Sequence, residues 1–403
     1  MYELTDMGKP VALVLQEWTK IYGKVYGIQE GLRRTLVISD VEMVHELFMT
    51  KFDYFHGRKS SVISGDVNND PRVHLFESQG IRPTVESSAL ALMEFFEKEA
   101  DRKAFDIYPF YKEFTLDVIY RVAMGQNGSR LFVDKEKFLA VDTLFHRSLR
   151  HPVLFLASSI APSNPLLRAL YCRPRMAKRS AENDEHQEPT DFIDLLLDAR
   201  AEEEFDNTAE FSKAGVQVMK RLTREEIAAQ CFVFLVAGFD TAAGSLAFCT
   251  YLLAKNPNIQ KNLQEEIDEY CNKESINYET LVSMKYLDAV IREALRMYPL
   301  ATFANSRRCM KSTTLGGIPI EEGEYVAVDT MSLHFDREIW GNDADVFRPE
   351  RWIESSERPS AAFLAFGFGP RQCIGMRLAN MEQKLVLAHL LQRYHIVETE
   401  DTE

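Results

Sequence analysis

Apolar residues recur at helical spacing from Val11 to Tyr22. Lys24–Gln29 (KVYGIQ) and Arg34–Ser39 (RTLVIS) then read as short strands on either side of a Glu30-Gly31 turn. Asp40 stands where it can cap a helix running through Phe48. Two helical patterns follow almost back to back between Val85 and Gly125, and a third over Phe132–Arg150 puts Phe138, Val141, Leu144, Phe145 and Leu149 on one stripe. From Leu154 to Pro174 the pattern gives way to an apolar, proline-punctuated loop. Lys178–Pro189 (KRSAENDEHQEP) has no apolar face and reads as a mobile surface segment.

Helical periodicity returns with Thr223 and Glu226, a capping-box pair whose side chains can reciprocally satisfy two free N–H groups at a helix start. A long apolar helix is predicted from about Glu225 to Ala254, stopped by Lys255-Asn256-Pro257. A second runs from Asn258 to about Cys271, and a third from about Glu279 to Tyr298, ended by Pro299. Thr313–Val328 alternates between glycine-rich turns and reads as strands, and Met376–Tyr394 is helical. No internal repeat is present. The pattern predicts a mainly α chain with a small β-rich lobe.

Composition narrows the class. The 403 residues are 46% hydrophobic and 27% charged, with 19 Gly and 15 Pro, which excludes a disordered or collagen-like chain. Length alone gives a soft prior of about two to three domains. The net charge of −14 repels phosphate backbones, so no nucleic acid partner is expected. Six scattered cysteines without a CxxC pair fit neither a disulfide framework nor a zinc cluster, and point to a reducing compartment. Met1–Pro10 carries Glu3 and Asp6 and lacks an apolar run, so neither a signal peptide nor a membrane anchor is expected there. Tryptophan occurs only at 18, 340 and 352.

The sharpest chemical signal is Phe366-Gly367-Phe368-Gly369-Pro370-Arg371-Gln372-Cys373-Ile374-Gly375, followed at once by a helix. Three glycines and a proline make a tight loop, and its cysteine sits at a helix N-terminus, where free N–H groups and the helix dipole favour a thiolate. A single solvent-shy thiolate suits an iron of the haem type, which needs only one protein ligand. The competing readings are a phosphate loop or a buried structural cysteine. The phosphate reading lacks the following Lys-Ser/Thr, and the third fingerprint glycine is out of place.

This decapeptide resembles the haem-binding loop of the cytochrome P450 family, whose Phe, Gly, Arg, Cys and Gly are met at Phe366, Gly369, Arg371, Cys373 and Gly375. The resemblance implies Cys373 as the iron ligand, with Phe366, Gly367, Arg371, Ile374 and Gly375 binding the haem around it. Ala237-Gly238-Phe239-Asp240-Thr241 looks like the family's oxygen-binding helix. There Ala237 and Gly238 would line the cofactor, and Asp240 with Thr241 would be the catalytic pair relaying protons. From Cys231 to Leu253 Asp240 is the one charge in 23 residues, so a transmembrane helix is the rival reading. An Asp at a bilayer centre costs roughly 2.5–3.5 kcal/mol on insertion scales, which favours a buried core helix. Glu293-Ala294-Leu295-Arg296 and Phe347–Trp352 resemble the segments that build a buried Glu–Arg–Arg lock, here Glu293, Arg296 and Arg351. By the same register Arg307 would meet a haem propionate.

The resemblance further implies a single domain over residues 1–403 and a monooxygenase inserting one oxygen atom of O2 into a small apolar organic substrate. It implies an NADPH-dependent flavoprotein reductase, with cytochrome b5 as a further electron donor, docking near Arg371, Arg377 and Lys384. It places the enzyme on the cytoplasmic face of the endoplasmic reticulum, with peripheral membrane association; a chain without the anchor could be cytosolic. Weaker similarity around Asp191–Asp198 points to the animal microsomal branch. Against that family the fold is expected to be incomplete. The absence of any Trp between Lys20 and Ile339 removes the early Trp/Arg helix, with apparent losses near 80–81 and 174–178, and the C-terminal hairpin is missing after Glu398–Glu403 (ETEDTE). These losses leave a second reading, a catalytically impaired or non-haem-binding truncated isoform.

Overall fold

The computed structural model describes residues 9–30, 33–58, 82–100, 104–123, 126–135, 138–139, 141–142, 224–271, 276–354, 357–400 and 402. Expectations for 154–174, 178–189, 191–198, Thr223, the junctions at 80–81 and 174–178, and most of Phe132–Arg150 lie outside these residues. Within them the chain is mostly helical with a small β region.

The β lobe is built from both ends of the chain. Helix α1 (Val11–Tyr22) leads into β1 (Val25–Glu30) and β2 (Arg33–Ile38), an antiparallel pair. Much later come β3 (Ser306–Arg308), the hairpin β4 (Thr313–Leu315) and β5 (Ile318–Ile320), and β6 (Tyr325–Val328). Strand β6 inserts beside β2 in parallel and pairs antiparallel with β3, giving the order β1-β2-β6-β3. The run Thr313–Val328 thus serves two sheets, because left-handed Gly316 and Gly317 turn β4 onto β5 before the chain crosses to β6.

Asp40 accepts from the N–H groups of Glu42 and Met43 and starts α2 (Val41–His45), which widens into one π-helical turn, Glu46–Thr50. The helical body comprises α3 (Arg82–Glu99), α4 (Tyr108–Ala123), α5 (Arg224–Lys255), α6 (Pro257–Tyr270), α7 (Tyr278–Ser283) and α8 (Lys285–Met297). After the β lobe come short α9 (Thr330–His334) and α10 (Arg337–Trp340), then α11 (Met376–Leu391). The single helix expected over Glu279–Tyr298 is broken at Met284, whose backbone is extended. The Glu266 carboxylate of α6 accepts from the N–H groups of Tyr286 and Leu287 at 2.8 Å each, capping α8 from another helix.

Helix α5 lies at the centre. Ala243, Leu246, Cys249 and Leu253 are buried among α3, α4, α6, α8 and α11, and Ser245 donates to the Gln383 side chain of α11 at 2.6 Å. Val233–Lys255 is the one helix among the described residues long and apolar enough to cross a membrane; it is packed as a core helix. A second cluster, around Val44, Leu47, Phe48, Val326 and Leu364, fills the β lobe.

Candidate active site

The loop Phe366–Gly375 bridges the two clusters, with Phe366 packed on the helical core and Phe368 on the β lobe. Gly367 donates to the Leu364 carbonyl at 3.0 Å and Cys373 N–H to the Phe366 carbonyl at 2.7 Å, closing the loop on itself. Gly367 and Gly369 are left-handed, with φ of 73° and 74°. A Cβ on Gly369 would stand 2.4 Å from the Phe48 carbonyl oxygen, so only glycine lets the loop seat on the π turn. Gly375 then precedes α11. Cys373 and Ile374 are exposed at the rim, and Phe366, Gly367 and Arg371 are half-buried.

Cys373 is exposed as a residue, while its thiol is desolvated by the loop around it. Loss of solvation pushes the Cys373 thiol up, and the Gly375 N–H offsets this only in part.

Three arginines converge beside the loop. Arg307 is 1% exposed and lies 4.4 Å over the Phe48 ring, donating to the carbonyls of Ala304 and Ser306. Its Nε is buried without a hydrogen bond, and among the described residues no carboxylate pairs with Arg307 or Arg371. Arg58 donates to the carbonyls of Ala304 and Arg371, joining β3 to the cysteine loop. Burial, then the fields of Arg58 and Arg371, holds the Arg307 pKa well below its usual range. A buried positive charge such as Arg307, which no carboxylate of the described residues pairs, favours an anion such as a carboxylate. Sequence reasoning found Arg307 and Arg371 and missed Arg58, which stands in no motif.

On α5, Ala237 is exposed, and Thr241, one turn on, donates to its carbonyl at 2.5 Å. Gly238 and Asp240 turn instead toward α4. A Cβ on Gly238 would meet Ile119 Cδ1 at 2.4 Å, so this glycine admits the close approach of α4. Asp240 Oδ1 accepts from the Tyr108 hydroxyl at 2.5 Å and lies 3.4 Å from Lys112 Nζ. Adjacent helical residues point about 100° apart, so the carboxylate and the Thr241 hydroxyl project in different directions.

Behind the site the Glu–Arg–Arg lock is formed by three side chains with no exposure. Glu293 accepts from Arg296 Nε and Nη2 at 2.9 Å and from Arg351 Nε at 2.8 Å, and also from Trp352 and the Arg348 amide. Arg296 Nη1 reaches the His334 carbonyl at 2.7 Å. The His334 ring lies 3.0 Å from the Arg296 carbonyl through Nδ1 and accepts the Leu364 N–H at 2.9 Å through Nε2, which makes it a neutral tautomer with Nδ1 protonated. Burial lowers its pKa to about 3. Since Gly367 and Asn305 both bond the Leu364 carbonyl, this network ties α8 to the base of the cysteine loop.

A family model described as Cytochrome P450 matches residues 68–403. The chain is 43% identical to the putative cytochrome P450 CYP13A1 of Caenorhabditis elegans, over 96% of this chain and 84% of the relative. It is 43% identical to CYP13A2 of the same organism, over 97% and 84%, and 39% identical to cyp-13B1, over 100% and 87%.

Proposed function

The chain belongs to the cytochrome P450 family, a family of haem-dependent monooxygenases, and from that premise we propose that Cys373 is its iron ligand and that Arg58, Arg307 and Arg371 take the haem carboxylates. The buried Arg307 guanidinium beside the cysteine loop, whose Nε has no hydrogen bond and which no carboxylate of the described residues pairs, carries this reading. The residues present fit the group: a thiol at the rim of a glycine loop, and beside it the buried Arg307, which no carboxylate of the described residues pairs. Bound there, haem supplies O2 activation and the insertion of one oxygen atom into an organic substrate.

The chain's own residues do the rest. Phe366 and the loop glycines orient Cys373, and iron at the sulfur stabilises the thiolate that burial disfavours. Ala237 and Thr241 present the α5 face from which substrate and O2 would be approached, and Asp240 holds a proton-exchanging carboxyl one residue away. The substrate is a small apolar organic molecule, and the electron source is an NADPH-dependent flavoprotein reductase, with cytochrome b5 as a second donor. Both would meet the Cys373 side, where Arg377 and Lys384 add positive charge. The protein works on the cytoplasmic face of the endoplasmic reticulum. One domain covers residues 1–403. The alignment to CYP13A5 runs over 455 positions against 403 residues here, which supports the reading that internal segments present in relatives are shortened in this chain.

The test is expression with a haem precursor, reduction, and addition of carbon monoxide. A strongly red-shifted, thiolate-type Soret band is expected, lost in Cys373→Ala and retained in Cys231→Ala. A band typical of a neutral ligand, or equal behaviour of the two variants, overturns the ligand assignment.

A further inference from the structure

Helix α4 bears on α5 along one stripe that lands on the turn carrying Asp240. Tyr108, Lys112, Thr115 and Ile119 stand at i, i+4, i+7 and i+11, on a single helix face. Together they meet the whole of Gly238–Asp240. Ile119 closes on Gly238, and Thr115 Oγ1 donates to the Phe239 carbonyl at 2.7 Å. The Tyr108 hydroxyl and Lys112 Nζ both converge on Oδ1 of Asp240. Oδ2 takes no hydrogen bond from the described residues.

Lys112 is unusual for a lysine. Its side chain is 7% exposed, and its ammonium lies between two carboxylates, 2.7 Å from Asp142 Oδ1 and 3.4 Å from Asp240 Oδ1. It also sits 4.7 Å over the Tyr108 ring and 5.7 Å over Phe239. A lysine this buried is held by specific partners, and its direction is set by them. Losing either donor would free the Asp240 side chain to rotate about the α5 backbone.

We propose that Tyr108 and Lys112 are positioning residues for Asp240, holding one carboxylate oxygen on α4 so that the other stays turned out for proton exchange. The inference rests on the reading that Asp240 serves proton delivery. Nothing in the Asp240-Thr241 pair alone would orient the acid, since Thr241 spends its hydroxyl on Ala237. The orientation comes from a different helix.

Two measurements test it. The first needs no turnover: urea-unfolding midpoints of Lys112→Met, Asp240→Asn and the double variant, for the haem-free and the haem-loaded chain. Non-additive losses are expected, with the double variant no worse than the worse single one; additive losses overturn the pairing. The second uses the haem-loaded chain with a flavoprotein reductase, NADPH and an apolar aryl ether as probe, and measures the share of NADPH electrons recovered as hydrogen peroxide. Peroxide, formed from O2 with two electrons and two protons, is the exit taken when proton delivery is misdirected. Tyr108→Phe and Lys112→Met should each raise that share at least twofold, as Asp240→Asn does, with the carbon monoxide band unmoved and Lys112→Arg restoring the original share. If Asp240→Asn raises the share and the α4 variants leave it unchanged, the inference is wrong while the proton-delivery reading stands. If Asp240→Asn itself changes nothing, that reading fails and the inference falls with it.

Discussion

Gly367 and Gly369 have the same left-handed φ, 73° and 74°, in different surroundings. A methyl group on Gly367 meets nothing closer than Asn305 Oδ1 at 3.6 Å, an ordinary contact. On Gly369 it meets the Phe48 carbonyl oxygen at 2.4 Å and Met49 Sδ at 3.0 Å. The left-handed backbone penalises alanine by about 1–2 kcal/mol at either position. Both substitutions also remove unfolded-chain entropy, an offset of about 0.4–1 kcal/mol. Gly369→Ala adds the overpacking penalty, typically about 1–3 kcal/mol, because a backbone carbonyl in a π turn cannot swing aside as a side-chain end can. Gly367→Ala should therefore lower stability by about 1 kcal/mol and Gly369→Ala by about 2–4 kcal/mol. Urea midpoints followed by tryptophan fluorescence measure both, at unchanged slope. The yield of the red-shifted carbon monoxide band should fall further in Gly369→Ala, since the loop that must move carries Cys373. Equal losses in the two variants would falsify the contact argument and leave backbone strain as the whole effect.

Glu293→Gln leaves two buried guanidiniums without their counter-charge and should cost about 3–5 kcal/mol, read as a lowered unfolding midpoint. A loss below about 1 kcal/mol would mean that the lock is dispensable. His334, with its pKa lowered to about 3, binds a proton in the unfolded chain and not in the folded one between about pH 6.5 and 3. Its contribution to stability is therefore full above that window and is lost as pH falls through it, by up to about 1.4 kcal/mol per unit. His334→Gln should flatten the acid limb of midpoint against pH, and an unchanged slope would refute the assignment. Arg307→Met removes a buried charge lacking a protein counter-ion. The haem-free chain should be no less stable, while its affinity for added hemin falls about 10–100-fold, the worth of one charged hydrogen bond. Unchanged affinity in a hemin titration counts against the carboxylate site.

Most helices were legible because each buries one continuous face, so apolar spacing in α4 or α8 reports the core directly. The cysteine loop was legible for another reason: its turn glycines, arginine and cysteine are contiguous. Features made by convergence were not. Arg58 acquires meaning only where the chain brings it against Arg307 and Arg371. The break at Met284 comes from Glu266, a cap supplied by a neighbouring helix. The close approach at Gly238 was not legible, because periodicity does not say which side of a nearly all-apolar helix receives α4. The thiolate expectation weighed the helix start and not the desolvation of the loop.

The cysteine loop seats on a π turn some three hundred residues earlier, and β6 slots beside β2 across a similar distance. A ribosome moving at about 5–20 residues per second delivers the second partner about 15–60 s after the first. Until then β1 and β2 are a two-stranded hairpin with an open edge, an arrangement of marginal stability in water. Every helix preceding Ser306 is synthesised before the Phe366–Gly375 loop and α11. A product cut short before Phe366 would lack both the cysteine loop and α11, whose Met381, Leu385 and Val386 complete the helical core.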